Sequence, residues 1–209
     1  ITQVLLHGLI VETNQRRQLV ETVQRWDIWG QVEEEILQIN GLLDAEPGRN
    51  VLVEDVSGVH HQKLFFCFRQ VYRTGLREPA KAKVIVKKFA KATLIVENTG
   101  NSLIAEDIEL ILEPGSNLTF VTLQEFENEA VYAARHHAIV DKDATFKSIT
   151  VTIGGSLVRI LPTVEFKAPG GDADLQGVYF ASAGQHLEHR LHVDHLVPNA
   201  KSRVNYKGV

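Results

Sequence analysis

Gly115-Ser116-Asn117-Leu118-Thr119-Phe120-Val121-Thr122-Leu123 and Asp143-Ala144-Thr145-Phe146-Lys147-Ser148-Ile149-Thr150-Val151 decide how this chain reads. Each opens with a residue that tolerates left-handed backbone and runs into a β-branched, apolar stretch. The two openings stand 28 residues apart, and turn residues continue that spacing through Gly115, Asp143, Gly171 and Asn199. The apolar triplet Leu118-Val121-Leu123 returns as Phe146-Ile149-Val151 and as Leu175-Val178-Phe180. A second set of turns falls midway, at Asn128, Gly154-Gly155 and Gly184. Two strands and two turns in each period of about 28 residues make one coil of a solenoid, which buries its apolar face only against neighbouring coils. An antiparallel sandwich would alternate in the same way but has no cause to keep that period.

The second strand of each unit supports stacking. Ile108, Leu110 and Leu112 alternate with Asp107 and Glu109, and Val158, Ile160, Val164 and Phe166 alternate with Arg159, Thr163 and Glu165. A period of two sends one set inward and the other outward. Helical periodicity is absent after about residue 83, so 83–209 is expected to form the β core. Residues 49–82 read as a transition, with short strands at Val51-Leu52-Val53 and Leu64-Phe65-Phe66-Cys67-Phe68 and a loop from Tyr72 to Pro79. Residues 1–48 read as helical. Leu19, Val20, Val23, Trp26, Ile36, Leu37 and Ile39 make a loose 3.6-residue stripe, broken at Gly30 and closed by Asn40-Gly41.

Composition narrows the function. Of 209 residues 44% are apolar and 23% charged, and the net charge is −4, an ordinary globular balance without the basic surface that nucleic acid requires. No apolar run is long enough to span a membrane as a helix. The lone Cys67 rules out an intrachain disulfide framework and suits a reducing compartment. Ile1-Thr2-Gln3 lacks the basic segment of a leader, and methionine is absent, so the expectation is either a trimmed chain or one whose methionines were dropped from the written sequence.

Chemistry concentrates in Gln185-His186-Leu187-Glu188-His189-Arg190-Leu191-His192-Val193-Asp194-His195. On a helix, four histidines would pair as ligands. On a strand, His189 and His195 share the inner face with Leu187, Leu191 and Val193, while His186, Glu188, Arg190, His192 and Asp194 point out. That leaves His186, His192 and Asp194 as candidate metal ligands, since imidazole and carboxylate suit zinc or iron. The competing reading is an outer polar ladder over two core histidines. The adjacent pairs His60-His61 and His136-His137 face opposite ways on strands. Cys67 lies in an apolar run without a base, and Pro169-Gly170-Gly171-Asp172 lacks the Gly-Lys-Ser/Thr of a phosphate loop. The run Lys81, Lys83, Lys87, Lys88 and Lys91 reads as a solvated face.

Gly170-Gly171-Asp172-Ala173-Asp174-Leu175-Gln176-Gly177-Val178-Tyr179-Phe180, Gln185-His186-Leu187-Glu188-His189-Arg190, Val193-Asp194-His195, Pro198-Asn199-Ala200-Lys201-Ser202 and Tyr206-Lys207-Gly208 resemble the SufB/SufD family, in its SufD-like form. The resemblance implies a right-handed parallel β-helix flanked by helical segments. It also implies a cytoplasmic, non-catalytic scaffold for iron–sulfur cluster assembly, working with a SufB-like subunit and a SufC-like ATPase. It carries the family's Gln-His and Asp-His motifs onto His186, His189, Asp194 and His195, in a mainly structural role. The family's cluster-building Cys-x-His-Gly-Ala-Thr segment is expected beyond Val209, with the β core cut short there, so no cluster ligand is assigned. No cofactor is expected on this stretch, with an iron–sulfur cluster engaged transiently in the assembled complex; a homodimer through the end coil is a further expectation. The alternatives are a metal-dependent β-fold enzyme built on His186, His192 and Asp194, and a solenoid interaction module.

Overall fold

The structure, a computed structural model, describes residues 50–53, 63–72 and 77–209. The expected helical segment 1–48 lies outside them. The described strands are β1 (Asn50–Val53), β2 (Lys63–Tyr72), β3 (Arg77–Val86), β4 (Lys91–Gly100), β5 (Leu103–Leu112), β6 (Asn117–Phe126), β7 (Val131–Val140), β8 (Thr145–Gly154), β9 (Leu157–Phe166), β10 (Asp172–Phe180), β11 (His186–His189), β12 (His192–Asp194) and β13 (Lys201–Gly208). They alternate between two sheets, one ordered β1-β3-β5-β7-β9-β11 with β12 also on β9, the other β13-β10-β8-β6-β4-β2. Every pairing is parallel. The chain is therefore a parallel β-helix. The boundary expected at 83 falls inside β3, and β1 and β2 already pair with later strands, so the coils reach into the supposed transition. Arg77–Pro79, expected as loop, is strand.

The period is not a constant 28. Lys91 faces Asn117, Asn117 faces Thr145, Thr145 faces Asp172 and Asp172 faces Lys201, so one coil takes 26, 28, 27 or 29 residues. From β3 to β9 every strand has ten residues; the turns absorb the variation. The left-handed positions are Phe89, Gly115, Asp143, Gly170 and Asn199, so Gly170 rather than Gly171 continues the series. A Cβ on Gly171 would strike the Phe166 ring and Val140, which is why that position is bare. In the other turn series Gly154, Gly155 and Gly184 have positive φ, and Asn128 does not. The third triplet is out of register too: Ala173 follows Phe146, and Leu175 follows Ser148.

Side chains obey the period of two. Leu118 and Phe146 point inward and are buried, whereas Val121, Leu123, Ile149 and Val151 lie on the outer face and are half-buried. The interior holds two apolar clusters. The larger runs through Val86, Leu110, Leu112, Leu118, Phe120, Val140, Phe166 and Leu175, beside the Gly115 series of turns. The smaller, of Ile104, Phe126, Tyr132, Val158 and Ile160 with neighbouring alanines, sits against the opposite turns. On the outside, coils are braced by ion pairs from one coil to the next: Lys83–Glu109 at 3.1 Å, Arg135–Asp107 at 2.8 Å, Arg159–Glu188 at 2.6 Å and Arg203–Asp172 at 2.8 Å.

Candidate functional site

Strand direction places the histidine segment as the alternation requires. Leu187 follows buried Val158 and His189 follows buried Ile160, so both point inward; His186 and Glu188 point out. The strand is interrupted at Arg190-Leu191, opposite Leu161-Pro162. Pro162 has no N–H to give to a ladder, and pairing resumes at β12. There His192 faces Thr163 and Asp194 faces Glu165, both on the outside, while Val193 follows buried Val164.

The three candidate ligands do not converge. His186 lies 3.6 Å from Glu188, whose carboxylate is engaged by Arg159. Six residues of extended chain, roughly 20 Å, separate His186 from His192. The Arg159 hydrogen bond holds the Glu188 carboxyl below the usual carboxylate range. Among the described residues no three or more His, Cys, Asp or Glu side chains lie where they could hold a metal ion. His195 occupies an inward position but is exposed, with its ring 5.0 Å from that of Phe166 and Nε2 2.9 Å from Ser202 Oγ. The expectation of two core histidines thus holds in part for half-buried His189 and fails for His195, because no further described strand covers β12.

A different constellation emerges inside the bore, between the two apolar clusters. Asn98, Gln124 and Thr152 occupy the same inward position in successive coils of one sheet, with Thr122 and Thr150 two residues before the latter pair. Facing them are Glu106, Tyr132 and His136 from the other sheet, then His189. Glu106 is 5% exposed and His136 4%. The Tyr132 phenol donates to the Glu106 carboxylate and accepts from Asn98 Nδ2 at 3.3 Å. His136 Nε2 sits 3.6 Å from Glu106 Oε2, too long for a hydrogen bond. Thr152 Oγ1 donates to Gln124 Oε1 at 3.2 Å and lies 2.9 Å from His189 Nε2, while Thr122 donates to Thr150 at 3.5 Å. Burial, with a smaller electrostatic push from His136, lowers the His189 imidazole to about 4. Tyr179 and Tyr206 close on His189 edge-on, at 5.2 and 5.5 Å.

The pair His136-His137 divides as its strand position demands. His136 faces the bore, and His137 faces out with Nδ1 2.7 Å from Thr163 Oγ1. The polar column itself is not legible in the sequence. Its signal was present as polar residues in register at inward positions, but that register becomes readable only when turn lengths of two to five residues are known.

Stacked parallel coils with an interior polar column, and histidine-rich strands β11 and β12 at the end of one sheet, define the protein class as a parallel β-helix domain. Residues 75–209 match the family model described as "SUF system FeS cluster assembly, SufBD core domain", and the chain belongs to that family. It is 44% identical over 126 residues to an iron–sulfur cluster assembly SufBD family protein of Mycobacterium leprae, covering 60% of this chain and 32% of that protein. A SufBD family protein of Mycobacterium tuberculosis is 39% identical over 139 residues, 65% of this chain and 35% of the relative. The SufB protein of Bacillus subtilis is 26% identical over 111 residues, 53% of this chain and 24% of that protein. The chain thus spans about a third of the length of the first two relatives. No solved structure matches it. No described helix is long and apolar enough to cross a membrane.

Proposed function

We propose that this chain is the β-helical part of a scaffold subunit for SUF iron–sulfur cluster assembly, without catalytic chemistry of its own. The observation that carries this is the family match over 75–209, a stretch that winds into coils from Arg77 on. The subunit works in a cytoplasmic complex with a SufB-like protein and a SufC-like ATPase, and the cluster is cargo rather than a resident cofactor. The SufD-like form of the motifs Gly170–Phe180 and Gln185–Arg190 supports the SufD-like role. A rigid stack suits transmission: each coil is hydrogen-bonded to the next along two sheets, so displacement at one end moves the other. β13 and β11–β12 end their sheets among the described residues and present strand edges to a partner. Cluster ligands lie outside these residues.

Co-expression of the full-length protein with SufB-like and SufC-like proteins tests the assignment. A stoichiometric ternary complex is the expected result; a chain that co-purifies with neither removes the scaffold reading. Stoichiometric metal on the isolated protein that is lost with His192→Ala would favour the enzyme alternative instead.

A further inference from the structure

The polar column presents more hydrogen-bonding capacity than the chain satisfies. Asn98 Oδ1, Gln124 Nε2, both ring nitrogens of His136 and Nδ1 of His189 have no hydrogen-bond partner among the described residues. Asn98 and Gln124 are 0% exposed. These atoms come from β4, β6, β7 and β11, on both sheets, and they lie between the two apolar clusters rather than scattered through them. Buried polar groups in folded proteins find partners, and where side chains supply none, ordered water does.

We propose that the bore between Asn98, Gln124, His136 and His189 is a built binding site for a file of ordered water molecules, running along the solenoid axis. Water fits the chemistry where ions do not. No lysine or arginine is buried among the described residues, so an anion there would meet no lysine or arginine counter-charge. No three metal-ligating side chains converge among the described residues, so a cation would lack a coordination shell. The unpartnered groups include an amide donor at Gln124 and an amide acceptor at Asn98, and water is both donor and acceptor. Half-buried His189, on the last described strand of its sheet, is where the file meets solvent. A strand added to that edge would close the file.

Oxygen-17 and deuterium relaxation dispersion of water, measured on the full chain, counts molecules held inside for longer than surface hydration allows. One or more such waters are expected in the wild type, with fewer in His136→Phe and in Gln124→Leu, and a lower urea midpoint in both variants because a hydrated site has been broken. A wild type without long-lived water overturns the proposal. So does a raised midpoint in either variant, since removing a dry, unsatisfied polar group stabilises a protein. Should His136→Phe fail to fold, Gln124→Leu and Thr152→Val provide the same two readouts. Loss of the ternary complex would leave this result untouched, because the proposal rests on the bore and not on the partners.

Discussion

Replacing Tyr132 with Phe removes one oxygen from the middle of the bore and little else. The ring is fully buried, 5.0 Å from that of Phe126, and the Phe side chain keeps that packing. What disappears is a phenol that donates to the Glu106 carboxylate and accepts from Asn98. A hydrogen bond to a charged group contributes about 1.5–3 kcal/mol, and a buried amide donor deprived of its acceptor costs about 1 kcal/mol or more. The expected loss is therefore about 3 kcal/mol, a large share of the ~5–15 kcal/mol that stabilises a folded domain. With a urea slope of about 2–3 kcal/mol/M, the midpoint falls by roughly 1–1.5 M at constant slope. Urea unfolding followed by far-ultraviolet circular dichroism measures it. A cycle with Glu106→Leu isolates the pair: the double variant should cost at least ~1 kcal/mol less than the two single losses added together. A single loss under ~1 kcal/mol with an unchanged slope, or an additive cycle, would show that the column does not hold the coils together.

Three further outcomes follow from the same structure. The unfolded chain binds a proton at His189 near pH 6.5, while the folded chain resists it down to about 4, so stability falls as pH drops through that window. The ceiling is about 3 kcal/mol, reduced by the solvent that reaches this half-buried ring; His189→Phe should flatten the profile of unfolding free energy between pH 7 and 5, and an unchanged slope would contradict the burial. Phe89 holds φ 63° while 72% exposed, a conformation that costs a bulky residue about 1–2 kcal/mol, so Phe89→Asn should raise the thermal midpoint; a lower midpoint would mean that the ring's packing over Gly115 outweighs the strain. The Arg135 hydrogen bonds hold the Asp107 carboxyl below its ordinary range, yet the pair is exposed. Arg135→Gln should therefore cost under ~1 kcal/mol, an effect lost in ~1 M salt and as pH falls through the carboxylate range; a salt-independent loss would assign the residue a packing role.

The alternation in Asp107–Leu112 and Val158–Phe166 was sufficient to read strands and to divide their faces, because a pleated strand admits only two side-chain directions. Left-handed turns at Gly115, Asp143 and Asn199 were equally readable, since few residue types accept that backbone. These local signals, with the family's motifs in the last coils, determined the β-helix and the direction of His189 and His192. Register is different: it depends on how many residues each turn consumes, and a turn of two or five residues carries no local mark of its length. Only the packed coils therefore decided that Gly170 rather than Gly171 takes the left-handed position, that Leu175 stacks on Ser148, and that Asn98, Gln124 and Thr152 line up opposite Glu106 and His136. Those polar residues come from successive strands β4 to β8 and meet only because parallel strands must align to hydrogen-bond, which makes the interior column a property of the stack and of no single segment.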